Sequence, residues 1–177
     1  MKIENSLMQN AHSRLRRFFV ESLKDIYYAE QQLVKALNTL WEKATSDVLK
    51  DAFEDHRQVT MTHVLRLEEI FGLLGVEPKT RKCEAIKGII SEANSIIDDT
   101  ENDTLTRDAA LIFAAQKAEH YEIATYGTLV QYARVLELID AAWLLEQTLQ
   151  EEKEADSTLT EIAERFVNMR ALQEEEK

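Results

Sequence analysis

The stretch Ala114-Ala115-Gln116-Lys117-Ala118-Glu119-His120-Tyr121-Glu122-Ile123-Ala124-Thr125-Tyr126 decides the fold. Around it Ile112, Ala115, Tyr126, Leu129, Ala133 and Leu136 recur at helical spacing, and Glu119 and Glu122 fall on the same stripe. Every step along this row is three or four residues, the period of a long helix with one face turned inward. The two glutamates therefore stand where leucines belong. Apolar neighbours on both sides fix the face on which they lie.

Three more stretches repeat the pattern. The first carries Phe19, Leu23, Ile26, Glu30, Leu33, Leu37 and Leu40. The second carries Leu49, Phe53, His56, Thr60, His63, Leu67, Ile70 and Leu74. The last carries Ala142, Leu145, Leu149, Glu152, Asp156, Leu159, Ala163 and Phe166. These spacings predict four long helices packed nearly parallel or antiparallel. Thr45-Ser46-Asp47 offers an N-cap for the second, Asn102-Asp103-Thr104 for the third and Asp140 for the fourth, and Gly75 followed by Pro78 stops the second. Short turns make two antiparallel hairpins. The connection from Gly75 to Thr104 is too long for a turn, and Glu84 to Ile97 within it is a helical candidate. The expectation is an all-α, ferritin-like four-helix bundle with one long crossover containing a short fifth helix.

Composition agrees. Only 4 glycines and 1 proline punctuate 177 residues, too few for a sheet protein. The length reads as one domain spanning 1–177, with a core over about 12–168 and a fraying tail at 169–177. A net charge of −12 argues against nucleic acid and against an anionic membrane surface. No apolar run is long enough to span a bilayer or to form a leader. A lone cysteine, Cys83, fits a reducing compartment.

The polar stripe positions also agree in depth. Glu30 lies sixteen residues before Ser46, and His56 and His63 bracket the matching depth after it. Glu119 and Glu122 sit as far before the second turn as Glu152 and Asp156 sit after it. At about 1.5 Å rise per residue all of them reach one level near mid-bundle. Any one alone has a bland reading, as a surface acid or a satisfied core histidine. Together, buried acids on three helices need a shared counter-charge, because an unpaired buried ion costs several kcal/mol. Carboxylate and imidazole donors suit iron or manganese, one or two ions, and a glutamate can bridge a pair. Glu30, His56, Glu119, Glu122, Glu152 and Asp156 are the expected ligands. His63 is read as supporting them, with ligation and plain packing as its alternatives. Tyr126 is placed to donate to a ligand carboxylate. Trp41 and Trp143 are read as packing residues, and His12 lies near the start of the chain.

Arg107-Asp108-Ala109-Ala110-Leu111-Ile112 together with Glu119-His120-Tyr121-Glu122-Ile123-Ala124 resembles the bacterial YciF-like proteins. Tyr28-Ala29-Glu30-Gln31-Gln32-Leu33, Lys82-Cys83-Glu84-Ala85 and Thr148-Leu149-Gln150-Glu151-Glu152-Lys153 extend the resemblance from about Phe19 to Phe166. It implies a stress-associated protein of ferritin-like, rubrerythrin-related architecture, cytoplasmic and homodimeric. It matches Glu30 to the first-helix glutamate of di-iron carboxylate sites, Glu119 and Glu122 to the paired third-helix glutamates, and Asp156 to a position where histidine is common. The second helix departs from that pattern, since neither Phe53-x-x-His56 nor Thr60-x-x-His63 contains a glutamate. The expected function is metal binding with reaction toward peroxide or dioxygen, its electron donor unknown. The alternative is a non-enzymatic dimeric scaffold or stress protein without bound metal.

Overall fold

The structure is a computed structural model that describes residues 13–175. Its long helices are α1 (Arg14–Lys43), α2 (Asp47–Leu73), α3 (Glu84–Asp98), α4 (Leu105–Val135) and α5 (Ile139–Ile162). A π-helical turn, Ala163–Val167, joins α5 to a last short turn, α6 (Asn168–Ala171). The all-helical bundle and its crossover helix match the sequence expectation. His12, Glu176 and Lys177 lie outside the described residues.

Helix α1 packs along α2 and α4 along α5, while α2 faces α5 and α1 faces α4. Helix α3 lies across α4 and α1. The stripes turn inward nearly as read: every named position of the first and third is buried. On α2 only His56 and, at the C-cap, Leu74 fall outside the helix's buried row, and Leu74 is itself buried. The fourth stripe drifts. The π-turn takes one extra residue per turn, so Val167 rather than Phe166 faces the core. Trp41 and Trp143 are exposed, which corrects their reading as packing residues.

The ends of the helices obey local chemistry. Ser13 and Thr104 cap α1 and α4 by accepting from Arg16 N and Arg107 N. Ser46 is the N-cap of α2, but its side chain makes no capping bond. The buried carboxylate of Asp108 replaces it, accepting from Thr45 N at 2.6 Å and Ser46 N at 2.8 Å. One acid thereby ties the first hairpin's turn to the first turn of α4. Asp140, expected as a cap, lies inside the first turn of α5, whose N-cap is Leu138. The expected fraying tail is partly held: the Glu174 carboxylate accepts from Leu105 N and Thr106 N at the start of α4.

Gly75 ends α2 in the left-handed region, φ 64°, with Val76 N bonded to Phe71 O and Gly75 N to Gly72 O. The same paired closure ends α4, where Leu138 N bonds Ala133 O and Glu137 N bonds Arg134 O. There the left-handed residue is Glu137, φ 61°. A side chain in that region costs about 1 kcal/mol that glycine avoids. Glu137→Gly is expected to raise stability by about 0.5 kcal/mol after the added freedom of the unfolded chain is set against the relief. Urea unfolding checks it through a higher midpoint at unchanged slope.

The buried apolar residues form two clusters rather than one continuous core. Phe19, Leu23, Ile26, Phe71, Leu129 and Leu145 belong to one. Leu37, Leu40, Phe53, Leu111 and Leu159 belong to the other. Between them lies a layer of acids and histidines.

Candidate metal centre

Each of α1, α2, α4 and α5 contributes to this polar layer because the stripe that buries its leucines also buries a polar residue at mid-length. Glu30 of α1, His63 of α2, Glu119 and Glu122 of α4 and Glu152 of α5 are all buried. His56 of α2 is 12% exposed.

Two triads share one member. In the inner triad His63 Nδ1 lies 2.9 Å from Glu152 Oε1 and 3.5 Å from Glu30 Oε1. In the outer triad His56 Nε2 lies 3.3 Å from Glu119 Oε2 and 3.5 Å from Glu152 Oε2. Glu152 therefore offers one oxygen to each. Within each triad the donor atoms lie within 4.8 Å of one another. Donors opposite each other on a transition-metal ion stand at most about 4.4 Å apart, given bonds of about 2.0–2.2 Å. The triads are thus close to the spacing that one ion would set.

Hydrogen bonding does not account for this convergence. Glu30 Oε2, Glu119 Oε2, Glu122 Oε1, both Glu152 oxygens and His63 Nδ1 are buried without a hydrogen-bond partner among the described residues. Even the 2.9 Å approach of His63 to Glu152 lacks hydrogen-bond geometry. Buried polar atoms left in this state cost about 1–3 kcal/mol each, more when charged. Four carboxylates share the layer with two imidazoles, so acids outnumber internal cations.

The electrostatics follow from that imbalance. Burial, then the carboxylates of Glu152, Glu30 and Glu119, push the Glu122 carboxyl well above the usual range. Burial likewise raises Glu152, against the pull of His63. Burial disfavours a charged His56, yet Glu119 and Glu152 together carry it up to about 9. His63 is also opposed by burial, and Glu30, Glu151 and Glu152 carry it up to about 12.

A second set of residues holds the first in place. Tyr126 donates its hydroxyl to Glu30 Oε1, as its stripe position predicted. His63 Nε2 pairs with Glu151 Oε2 at 3.0 Å. Arg66 clamps Glu151 with two nitrogens, at 2.6 and 3.1 Å, and also donates to Thr148 Oγ1. The Glu151 carboxylate is held down at about 2, first by His63 and then, against burial, by Arg66. A histidine whose far nitrogen is fixed by a carboxylate keeps its near nitrogen aimed at the shared space.

Five of the six expected ligands meet here: Glu30, His56, Glu119, Glu122 and Glu152. Glu122 belongs to neither triad but lies among their carboxylates. Asp156 does not join them. It is partly exposed on the seam between α4 and α5, accepts from Gln116 Nε2 at 3.1 Å and lies 3.5 Å from the exposed His120. His63 takes the place expected for Asp156, inside the cluster rather than behind it. Sequence depth had already placed it at this level, since His63 lies seventeen residues after Ser46 and Glu30 sixteen before. Glu151 and Arg66 left no such signal, because neither falls on an apolar stripe.

Residues 14–172 match the family described as a domain of unknown function, DUF892. The chain belongs to this family. It is 44% identical over 154 residues to Protein YciF of Escherichia coli K12, covering 86% of this chain and 92% of that relative. The crystal structure of the E. coli stress protein YciF has a TM-score of 0.84 at 42% identity, over 88% of this chain and 98% of that one. YcfI of Rhodopseudomonas palustris, described as a candidate structural protein, has a TM-score of 0.81 at 38% identity, over 84% and 94% of the two chains. The chain is thus a homologue of a bacterial stress protein and shares its helical bundle. No described helix is long and apolar enough to cross a membrane.

Proposed function

We propose that this YciF homologue binds two ions of iron or manganese at the centre of its bundle and acts in stress by reaction with peroxide or dioxygen. The observation that carries the proposal is the pair of triads sharing Glu152, whose donor atoms converge without hydrogen-bond geometry. Glu30, His63 and Glu152 would hold one ion, His56, Glu119 and Glu152 the other, and Glu122 would add a carboxylate between them. Carboxylate and imidazole with no thiolate in the set favour iron or manganese over soft metals. Bound in the reduced state, such ions supply electrons to dioxygen or peroxide. The residues contribute the rest. Glu152 would serve both positions, Tyr126 orients Glu30, and Glu151 with Arg66 fixes the His63 ring. The apolar clusters bound the layer on either side along the bundle.

Elemental analysis of protein purified without added metal tests the proposal. Close to two equivalents of iron or manganese support it; none after anaerobic reconstitution with ferrous ion overturns it. Stopped-flow mixing of the ferrous protein with peroxide or oxygen tests the chemistry. Oxidation no faster than that of free ferrous ion reduces the role to passive binding.

A metal-free dimeric scaffold is the second reading, favoured by the description of the Rhodopseudomonas palustris relative and by the imidazoles, which can serve as internal counter-cations. The two states differ in pH dependence. A histidine raised on folding stabilises fully below its unfolded value near 6.5, and the effect is lost as pH rises through its folded value. His56 places that loss between about 6.5 and about 9, and the raised carboxyls of Glu122 and Glu152 act in the same direction. The melting temperature of chelator-treated protein is therefore expected to fall across this window. Metal binding displaces the same protons, so affinity for the ions rises over the same range. Calorimetry with and without metal reads the two opposite slopes.

A further inference from the structure

The two triads are not equally reachable. A cavity of about 220 Å³ opens between α2 and α5, and His56 and Glu119 line it. Glu30 and His63 do not line it, and both are fully buried. Its walls are small or apolar where the helices face each other, at Ala52, Val59 and Ala155. Its charged lining besides His56 is entirely acidic: Asp55, Glu119, Glu151 and Glu154.

We propose that this cavity is the entrance to the His56 half of the centre alone, and that it admits divalent cations and small uncharged molecules while rejecting anions. This rests on the metal-binding role proposed above and divides it. The outer position, made by His56, Glu119 and Glu152, is loaded, exchanged and approached by substrate through the cavity. The inner position, made by Glu30, His63 and Glu152, is sealed between the apolar clusters and retains its ion.

Size and charge both support the assignment. A water occupies about 30 Å³ of liquid, so the cavity has room for about seven waters, or for a molecule of peroxide size with waters beside it. It is smaller than the roughly 300–1,000 Å³ of sites for larger ligands. A cleft lined by one sign of charge concentrates counter-ions and repels ions of its own sign. Asp55 and Glu154 are exposed at the rim, where this attraction is screened by salt. Glu151 joins the two halves: it lines the cavity and holds His63 by its far nitrogen.

Cobalt(II) provides a probe with a visible spectrum. Full-length protein loaded with cobalt and mixed with excess chelator is expected to release one equivalent quickly and the other slowly. Ala155→Trp fills the passage and is expected to slow the fast phase by about tenfold, equivalent to about 1.4 kcal/mol, leaving the slow phase unchanged. Val59→Phe is the second plug, used if the tryptophan variant loses its helical circular dichroism. The double variant Asp55→Asn, Glu154→Gln is expected to load the fast position more slowly and with a weaker dependence on salt. Release of both equivalents at one rate, or a fast phase that neither plug alters, overturns the proposal while leaving the metal-binding role intact. Absence of any bound cobalt overturns both.

Discussion

Glu152→Gln is expected to abolish metal at both positions at once, because Glu152 is the one residue common to the two triads. Glutamine keeps the shape of the side chain but gives up the charge and one acceptor oxygen. Glu30→Gln, by contrast, is expected to empty only the inner position, and Glu119→Gln only the outer one. The metal-free protein also suffers. Glu152 is the nearest carboxylate to His63, at 2.9 Å, and faces His56 at 3.5 Å. Breaking a buried ion pair by removing one partner typically costs about 3–5 kcal/mol. Inductively coupled plasma analysis and urea unfolding measure the two effects on the same preparations. A Glu152→Gln protein that retains a full equivalent of iron would show that the triads do not share a bridge.

Glu122 should respond in the opposite way. Its carboxyl is buried, one oxygen has no partner, and three other carboxylates surround it. In the metal-free protein this group is a burden, carried either as an uncompensated charge or as an unsatisfied neutral acid. Glu122→Leu replaces it with an apolar side chain of similar volume. The metal-free variant is expected to gain about 1–3 kcal/mol while its metal content falls. Glu122→Ala is expected to lose metal without that gain, since the space vacated becomes a cavity. Melting temperatures in chelator and metal content after reconstitution separate the cases. If both variants load like the parent, Glu122 is not a ligand. If Glu122→Leu destabilises the metal-free chain, the layer is better satisfied than its geometry indicates.

The opposite signs distinguish groups that interact with a local cation from groups that need one from outside. Glu152 has His63 and His56 as internal counter-charges, so removing it exposes them. Glu122 is opposed by the carboxylates of Glu152, Glu30 and Glu119, so removing it relieves them. Both statements rest on neighbours brought from separate helices, which no stretch of sequence contains by itself.

What the sequence determined, it determined through period and length. A step of three or four residues fixes a side chain's face because the helix turns about 100° per residue. This placed Glu30, Glu119, Glu122 and Glu152 inside before any contact was known. The distance of each from a turn fixed its height, because both strands of a helical hairpin rise equally. The same arithmetic cannot fix the rotation of each helix to better than half a residue. Position 156 stands about 40° off the line of Glu152 and position 155 about 60° off it on the other side, so neither is central. The packing of α4 turned Asp156 toward Gln116 and left His63 to meet Glu30 and Glu152. The π-turn beyond Ile162 shifted the stripe again, and no local signal announced it.

Tertiary structure alone also chose the supports. Glu151, Arg66 and Asp108 are charged residues that local sequence assigns to solvent, and each is useful only because a partner more than sixty positions away arrives beside it. Periodicity reports which way a side chain points. It carries no information on what stands opposite, since that depends on how neighbouring helices rotate and slide to fill the two apolar clusters. The inward faces that carry the acids belong to the sequence; the pairing of His63 with Glu30, the sharing of Glu152 between two triads and the opening beside His56 belong to the packing.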